Sequence, residues 1–166
     1  CIFDLDGTLT DTLDSLTYSV NETMKEMKLP EITREQCRAF VGNGAKVLIQ
    51  KALEAAGVPE EDFFPETFRT FQRIFDNNCT YRVKPNEGIV CLLTELKMRG
   101  MKLGVLSNKP DRQAVHVVSE IFGEDIFDIV WGQKEGVPRK PDPSALLLMA
   151  GDLGADPSEI IYIGDS

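Results

Sequence analysis

The sequence has no CxxC pair, no basic cluster, no long apolar run and no internal repeat. Its four cysteines, Cys1, Cys37, Cys79 and Cys91, lack a nearby histidine partner, so zinc-type spacing is missing and reduced thiols are expected. Cys1, Cys37 and Cys91 lie in apolar segments and are expected to pack there. No stretch approaches the roughly 20 apolar residues that span a bilayer, and no charged-then-apolar leader opens the chain. The expected setting is the cytoplasm, with no membrane partner. Positive charge is also scarce: 18 Lys and Arg stand against 27 Asp and Glu, a net charge of −9. Such a chain repels a phosphate backbone, so a nucleic-acid partner is not expected.

What is present is a globular composition, 42% hydrophobic and 27% charged over 166 residues. Periodicity divides it. Leu13, Leu16, Val20, Met24 and Met27 form one helical stripe, and Phe64, Phe68, Phe71 and Phe75 form another. Pro30 ends the first helix, a Thr33 to Gln36 capping box opens the second, Gly57 closes the third, and Pro59 with Glu60, Glu61 and Asp62 starts the fourth. After Pro85 short apolar runs alternate with amphipathic helices. The spacing predicts strands at 103–106, 129–131 and 160–163, with helices at 87–99, 111–121 and 143–153. That alternation implies parallel strands with right-handed crossovers. The run Cys1 to Leu5 is expected to join the same sheet.

The fold class is therefore α/β, an open parallel Rossmann-like sheet with an inserted all-α helical bundle. Residues 1–12 and 85–166 are expected to form the core and 13–84 the insert. Residues 13–84 carry a net charge of −1 and the remainder −8, so a near-neutral lid and an acidic core are anticipated. The chain opens in mid-strand and closes on Gly164, Asp165 and Ser166 just after an apolar run. Both ends read as cut, and the C-terminal part of the core is expected to be missing.

Ligands of open α/β sheets bind at the carboxyl ends of the strands. The first strand runs into Asp4, Asp6, Gly7 and Thr8, the second into Ser107, Asn108 and Lys109, and the last into Asp165. Converging carboxylates are costly unless a cation intervenes, and Mg²⁺, with a few carboxylates plus water and phosphate, is the natural choice. A carboxylate beside Mg²⁺ can attack phosphorus to give an aspartyl-phosphate, and a second can protonate the leaving oxygen. Ser107 and Asn108 suit the phosphate oxygens, and a lysine must balance the transition-state charge. Lys109, Lys134 and Lys140 are candidates; Lys140 is preferred because Pro141 and Pro143 fix the loop around it. Lys109 is read as a rim residue, Asp11 as a helix start and Trp131 as packing.

These motifs resemble the haloacid dehalogenase-like hydrolases, and within them the phosphoglycolate phosphatase-like members. The family's DxDGT pattern is met by Asp4 to Thr8, its Ser/Thr motif by Ser107 in VLSNKP, its Lys motif by Lys140, and its last acidic motif by Asp165 in IIYIGDS. The resemblance implies that Asp4 is the nucleophile and Asp6 the general acid/base whose backbone carbonyl also binds Mg²⁺. Asp165 is implied as a metal ligand, and 13–84 as the cap. Gly42, Asn43 and Gly44 resemble the cap loop that receives an anionic substrate. The family pattern continues past Asp165 with another acidic residue that this chain does not reach.

The expected reaction is Mg²⁺-dependent hydrolysis of a small phosphorylated metabolite, phosphoglycolate first, by a monomer or homodimer. A hexose-phosphate mutase uses the same four motifs and is the enzymatic alternative, as are sugar-phosphate, nucleotide or pyrophosphate phosphatases. An inactive interaction module is the non-enzymatic one. Retention of every motif residue argues against it.

Overall fold

A computed structural model describes residues 1–165 as two compact units. Cys1–Asp11 with Lys84–Ser166 make the first, and Thr12–Val83 the second. In the first, strands β1 (Ile2–Phe3), β4 (Gly104–Pro110), β5 (Ile129–Gln133) and β6 (Tyr162–Ile163) form a parallel sheet in the order β5-β4-β1-β6. Ile2 and Phe3 are fully buried and β4 is buried from Gly104 to Ser107, as a strand enclosed on both faces requires. Helices α5 (Ile89–Met98), α6 (Asp111–Phe122) and α7 (Ser144–Asp152) supply the crossovers. Met149 and Leu153 pack with Ile2, Leu106 and Ala145, and Trp131 lies partly buried against them.

Strand order decides where a ligand can enter. From β1 the chain adds β4 and β5 on one side and then returns to place β6 on the other. The direction thus reverses between β1 and β6, the switch point at which open α/β sheets form their crevice. Asp4 follows β1 and Asp165 follows β6, one on each side of it.

The element plan is close to the expected one, with informative differences. The second strand extends through Ser107 to Pro110 instead of ending at Leu106. A short antiparallel pair, β2 (Thr10–Asp11) with β3 (Lys84–Pro85), was not anticipated; two residues per strand leave no alternation to detect. Asp11 accordingly lies in β2 and is not the N-cap of the first helix, which is Thr12.

The second unit is the helical insert: α1 (Leu13–Glu26), α2 (Arg34–Phe40), α3 (Ala45–Ala55) and α4 (Glu60–Asn78). Thr33 and Gln36 form the reciprocal capping box. Leu16, Val20 and Met24 are buried with Ile49, Leu53, Phe71 and Phe75, and Phe71 stacks on Phe75 at 5.2 Å. Phe64 and Phe68 stack at 5.4 Å but stay partly exposed, so the aromatic stripe is core only in its second half. All four cysteines are free thiols. Cys79 is buried and Cys91 exposed, the reverse of the packing expected for Cys91, because α5 buries only Leu93 and Cys91 lies two residues away on another face. Among the described residues no helix is long and apolar enough to cross a membrane.

Candidate active site

The turn after β1 is built to present carboxylates. Leu5 O accepts the Leu9 and Thr10 N–H groups at 3.0 and 3.1 Å and the Thr10 hydroxyl at 3.2 Å, which closes a tight loop around Asp6 and Gly7. Gly7 has φ +86°, and a Cβ there would run into the Asp165 carboxylate, so this approach requires glycine. Asn86 fastens the loop, donating from Nδ2 to Gly7 O at 3.0 Å and Thr8 O at 2.9 Å. No local motif marks Asn86, because its partners lie 78 and 79 residues away.

Asp4 is 4% exposed. Its Oδ1 accepts the Leu5 N–H at 2.7 Å, and Lys140 Nζ lies 2.7 Å from its Oδ2. Lys140 also donates to Tyr162 Oη at 2.7 Å. Burial pushes the Tyr162 phenol above its ordinary pKa although Lys140 pulls the other way, so it stays a neutral acceptor. Asn108 holds the Lys140 main chain from both ends: Lys140 N donates to Oδ1 at 3.0 Å, and Nδ2 donates to Lys140 O at 3.1 Å. The Asn108 amide, expected from the sequence to meet phosphate, is thus engaged through both polar atoms with the lysine's backbone. Ser107 is buried, and with Asn108 and Lys140 it lines a cleft at the strand ends shared with Trp131, Gly132 and Gln133.

Asp6 does not stand beside Asp4 unpaired. Its Oδ1 accepts from Lys109 Nζ at 3.0 Å, and the Lys109 side chain is 2% exposed. Lys109 is therefore no rim residue. Ser107 and Lys109 are both buried, two apart on a stretch of β4 where pairing with β5 is irregular, so strand spacing alone did not place the lysine. Lys134 is instead stacked on Trp131, its Nζ 4.1 Å from the ring centroid. Tyr162 carried no signal either, sitting in an ordinary apolar run.

Asp165 Oδ1 accepts the Thr8 hydroxyl at 3.1 Å. Ser166, the last residue of the IIYIGDS motif, lies outside the described residues. No three Asp, Glu, His or Cys side chains among the described residues form a group that could hold a metal by themselves. The donors nevertheless fit magnesium: two carboxylates at adjoining strand ends, Asp4 and Asp165, and the Asp6 main-chain carbonyl are hard oxygens, and Mg²⁺ needs only one or two carboxylates beside water and phosphate. Gly42, Asn43 and Gly44 belong to the other unit. Gly42 and Gly44 have φ of +115° and +84°, and Gly44 is the N-cap of α3, which receives no side-chain cap.

The family model for haloacid dehalogenase-like hydrolases matches residues 1–166. The chain belongs to that family. It is 32% identical to phosphoglycolate phosphatase 1 of Pseudomonas aeruginosa over 99% of this chain and 61% of that protein, so it spans about three fifths of that relative. It is 32% identical to the phosphoglycolate phosphatase of Nitrosococcus oceani, again over 99% of this chain and 74% of the other. The crystal structure of a predicted phosphoglycolate phosphatase from Haemophilus somnus 129Pt superposes with a TM-score of 0.89 at 28% identity, covering 99% of this chain and 75% of that one. That solved structure shares the parallel sheet with a helical insert described above.

Proposed function

We propose that the protein is a magnesium-dependent phosphomonoesterase that works through an aspartyl-phosphate on Asp4 and acts on a small phosphorylated acid, phosphoglycolate. The observation that carries this reading is the buried Asp4 carboxylate at the end of β1 with Lys140 Nζ at 2.7 Å. A buried carboxylate held by an ammonium in a strand-end crevice is a functional arrangement more than a stabilising one, because an apolar pair would stabilise the fold as well.

In the proposed reaction an Asp4 oxygen attacks phosphorus, the bond from phosphorus to the leaving oxygen breaks, and the Asp6 carboxyl delivers a proton to that oxygen. Asp6 then takes a proton from the water that attacks the acyl phosphate, releasing inorganic phosphate and restoring Asp4. Lys140 balances negative charge on the transferring group, the Ser107 hydroxyl donates to one of its oxygens, and Asn108 keeps the Lys140 backbone in place. Mg²⁺ held by Asp4, Asp165 and the Asp6 carbonyl would withdraw charge from the phosphoryl oxygens.

Phosphoglycolate is supported by the names of the relatives and by the resemblance of Gly42, Asn43 and Gly44, a loop with positive φ at both glycines just before α3, to a cap loop that receives an anionic substrate. The test is a substrate panel on full-length protein with Mg²⁺, containing phosphoglycolate, hexose phosphates, nucleotides and pyrophosphate. Phosphoglycolate should have the highest kcat/KM, and EDTA should abolish turnover. Full activity in EDTA would overturn the metal, and preference for a hexose phosphate would overturn the substrate.

A further inference from the structure

We infer that Lys109 is a positioning residue that aims the Asp6 carboxylate, a role separate from that of Lys140; the inference rests on the acid/base role proposed above for Asp6. Two lysines serve two aspartates. Lys140 Nζ is 2.7 Å from Asp4 Oδ2, and Lys109 Nζ is 3.0 Å from Asp6 Oδ1. The Lys109 side chain is the more enclosed of the two, 2% exposed against 11%. An ammonium this deep is tolerated only where a carboxylate meets it, so the pair fixes both side chains.

The backbone around Lys109 is shaped to produce that contact. Pairing of β4 with β5 is regular from Gly104 to Leu106 and then slips before Pro110. Such an irregularity re-aims the side chains within it. Ser107 Oγ accepts the Lys109 N–H at 3.2 Å, which ties the lysine's backbone to the residue read as a phosphate ligand. Across the strands a Cβ on Gly132 would sit 2.5 Å from Lys109 O and 2.5 Å from Asp111 Cα. Gly132 N also donates to Asp111 Oδ1 at 2.9 Å. Only glycine at 132 permits this approach, and it holds the irregular stretch that carries Lys109.

Asp6 needs such a hold because it sits on the loop between β1 and β2 and its side chain is 18% exposed. An acid/base group must keep one direction through two proton transfers, and a carboxylate on a loop can rotate toward solvent. Anchoring one oxygen fixes the direction in which the carboxyl faces for proton transfer.

The experiment uses full-length protein with Mg²⁺, p-nitrophenyl phosphate as substrate and inorganic phosphate as competitive inhibitor. Lys109→Met should lower kcat about 10 to 100-fold while KM and the phosphate inhibition constant stay within about threefold. Lys109→Arg should recover most of the loss. In an Asp6→Asn background Lys109→Met should cost no more than about twofold further, since the residue it aims is gone. A full additional loss there would overturn the inference, as would a tenfold rise in KM at unchanged kcat, which would make Lys109 a phosphate ligand. If Lys109→Met and Lys109→Gln both fail to fold by circular dichroism, Lys109 acts in folding and the inference is wrong. Activity retained by Asp4→Asn would instead sink the aspartyl-phosphate reading, a separable failure.

Discussion

Both units of this chain carry exposed ion pairs, and the α/β unit also carries two withdrawn from solvent. In the helical insert the ion pairs lie in water: Arg73 with Glu26 is 59% and 53% exposed, and Arg34 with Asp14 is 41% and 42% exposed. In the α/β unit Lys140 with Asp4 and Lys109 with Asp6 are withdrawn from solvent. Exposed pairs contribute about 0 to 1 kcal/mol, and the insert is held by its Leu, Met and Phe interior, so these charges serve solubility. Buried pairs are a poor way to stabilise a sheet, since desolvation offsets their attraction. Two of them at a topological switch point therefore favour that crevice as the site of the proposed chemistry.

The largest effects should come from breaking the buried pairs. Asp4→Asn should lower kcat by at least about 10³-fold, because the amide cannot attack phosphorus. Asp6→Asn should lower kcat by about 10²-fold while inhibition by inorganic phosphate persists. Steady-state kinetics on p-nitrophenyl phosphate checks both. In the insert, Gly44→Ala should lower kcat/KM for phosphoglycolate about tenfold more than for p-nitrophenyl phosphate, the cost of one hydrogen bond to a charged group. Because Gly44 has φ +84°, circular dichroism must first show that the variant folds. Equal losses on both substrates would reduce the loop to a structural connection.

Smaller effects sharpen the same contrast through stability. Gly132→Ala should cost about 1 to 3 kcal/mol in urea unfolding, since its Cβ meets backbone that cannot move aside. Asp128 lies between the two extremes. Burial raises its pKa, but the Leu103 N–H at 2.7 Å and the Lys97 ammonium outweigh it and hold the carboxyl below its ordinary 3.8. A depressed folded pKa stabilises above the unfolded value and loses that contribution as pH falls through the folded one. Asp128→Asn should thus cost about 1 kcal/mol at pH 7, and the difference from wild type should vanish as pH drops below 3.8. Arg73→Met, by contrast, should change stability by less than about 0.5 kcal/mol at any pH, as exposed pairs do.

Much of this contrast is legible in the sequence. Motifs at strand ends locate the crevice, since an open parallel sheet gathers the carboxyl ends of its strands wherever the helices lie. Thr33 with Gln36 and Pro59 with Glu60 announce helix starts through interactions within four residues. Longer-range contacts were not legible. Lys109 reads as a rim cation because its partner is 103 residues away and the strand carrying it slips register. Tyr162 gains its contact with Lys140, and Asn86 its grip on the Asp6 loop, only from tertiary packing. Like charge at the strand ends points to a divalent cation, and residue spacing alone does not reveal that Lys140 and Lys109 also meet two of those carboxylates.

Asp4 is the group proposed to receive the phosphoryl. The direct test mixes full-length protein and Mg²⁺ with ³²P-labelled phosphoglycolate, quenches with acid before one turnover is complete, and maps the labelled peptide. The label should lie on Asp4 in wild type and be lost in Asp4→Asn. Label on any other residue, or turnover by Asp4→Asn near the wild-type rate, would contradict it.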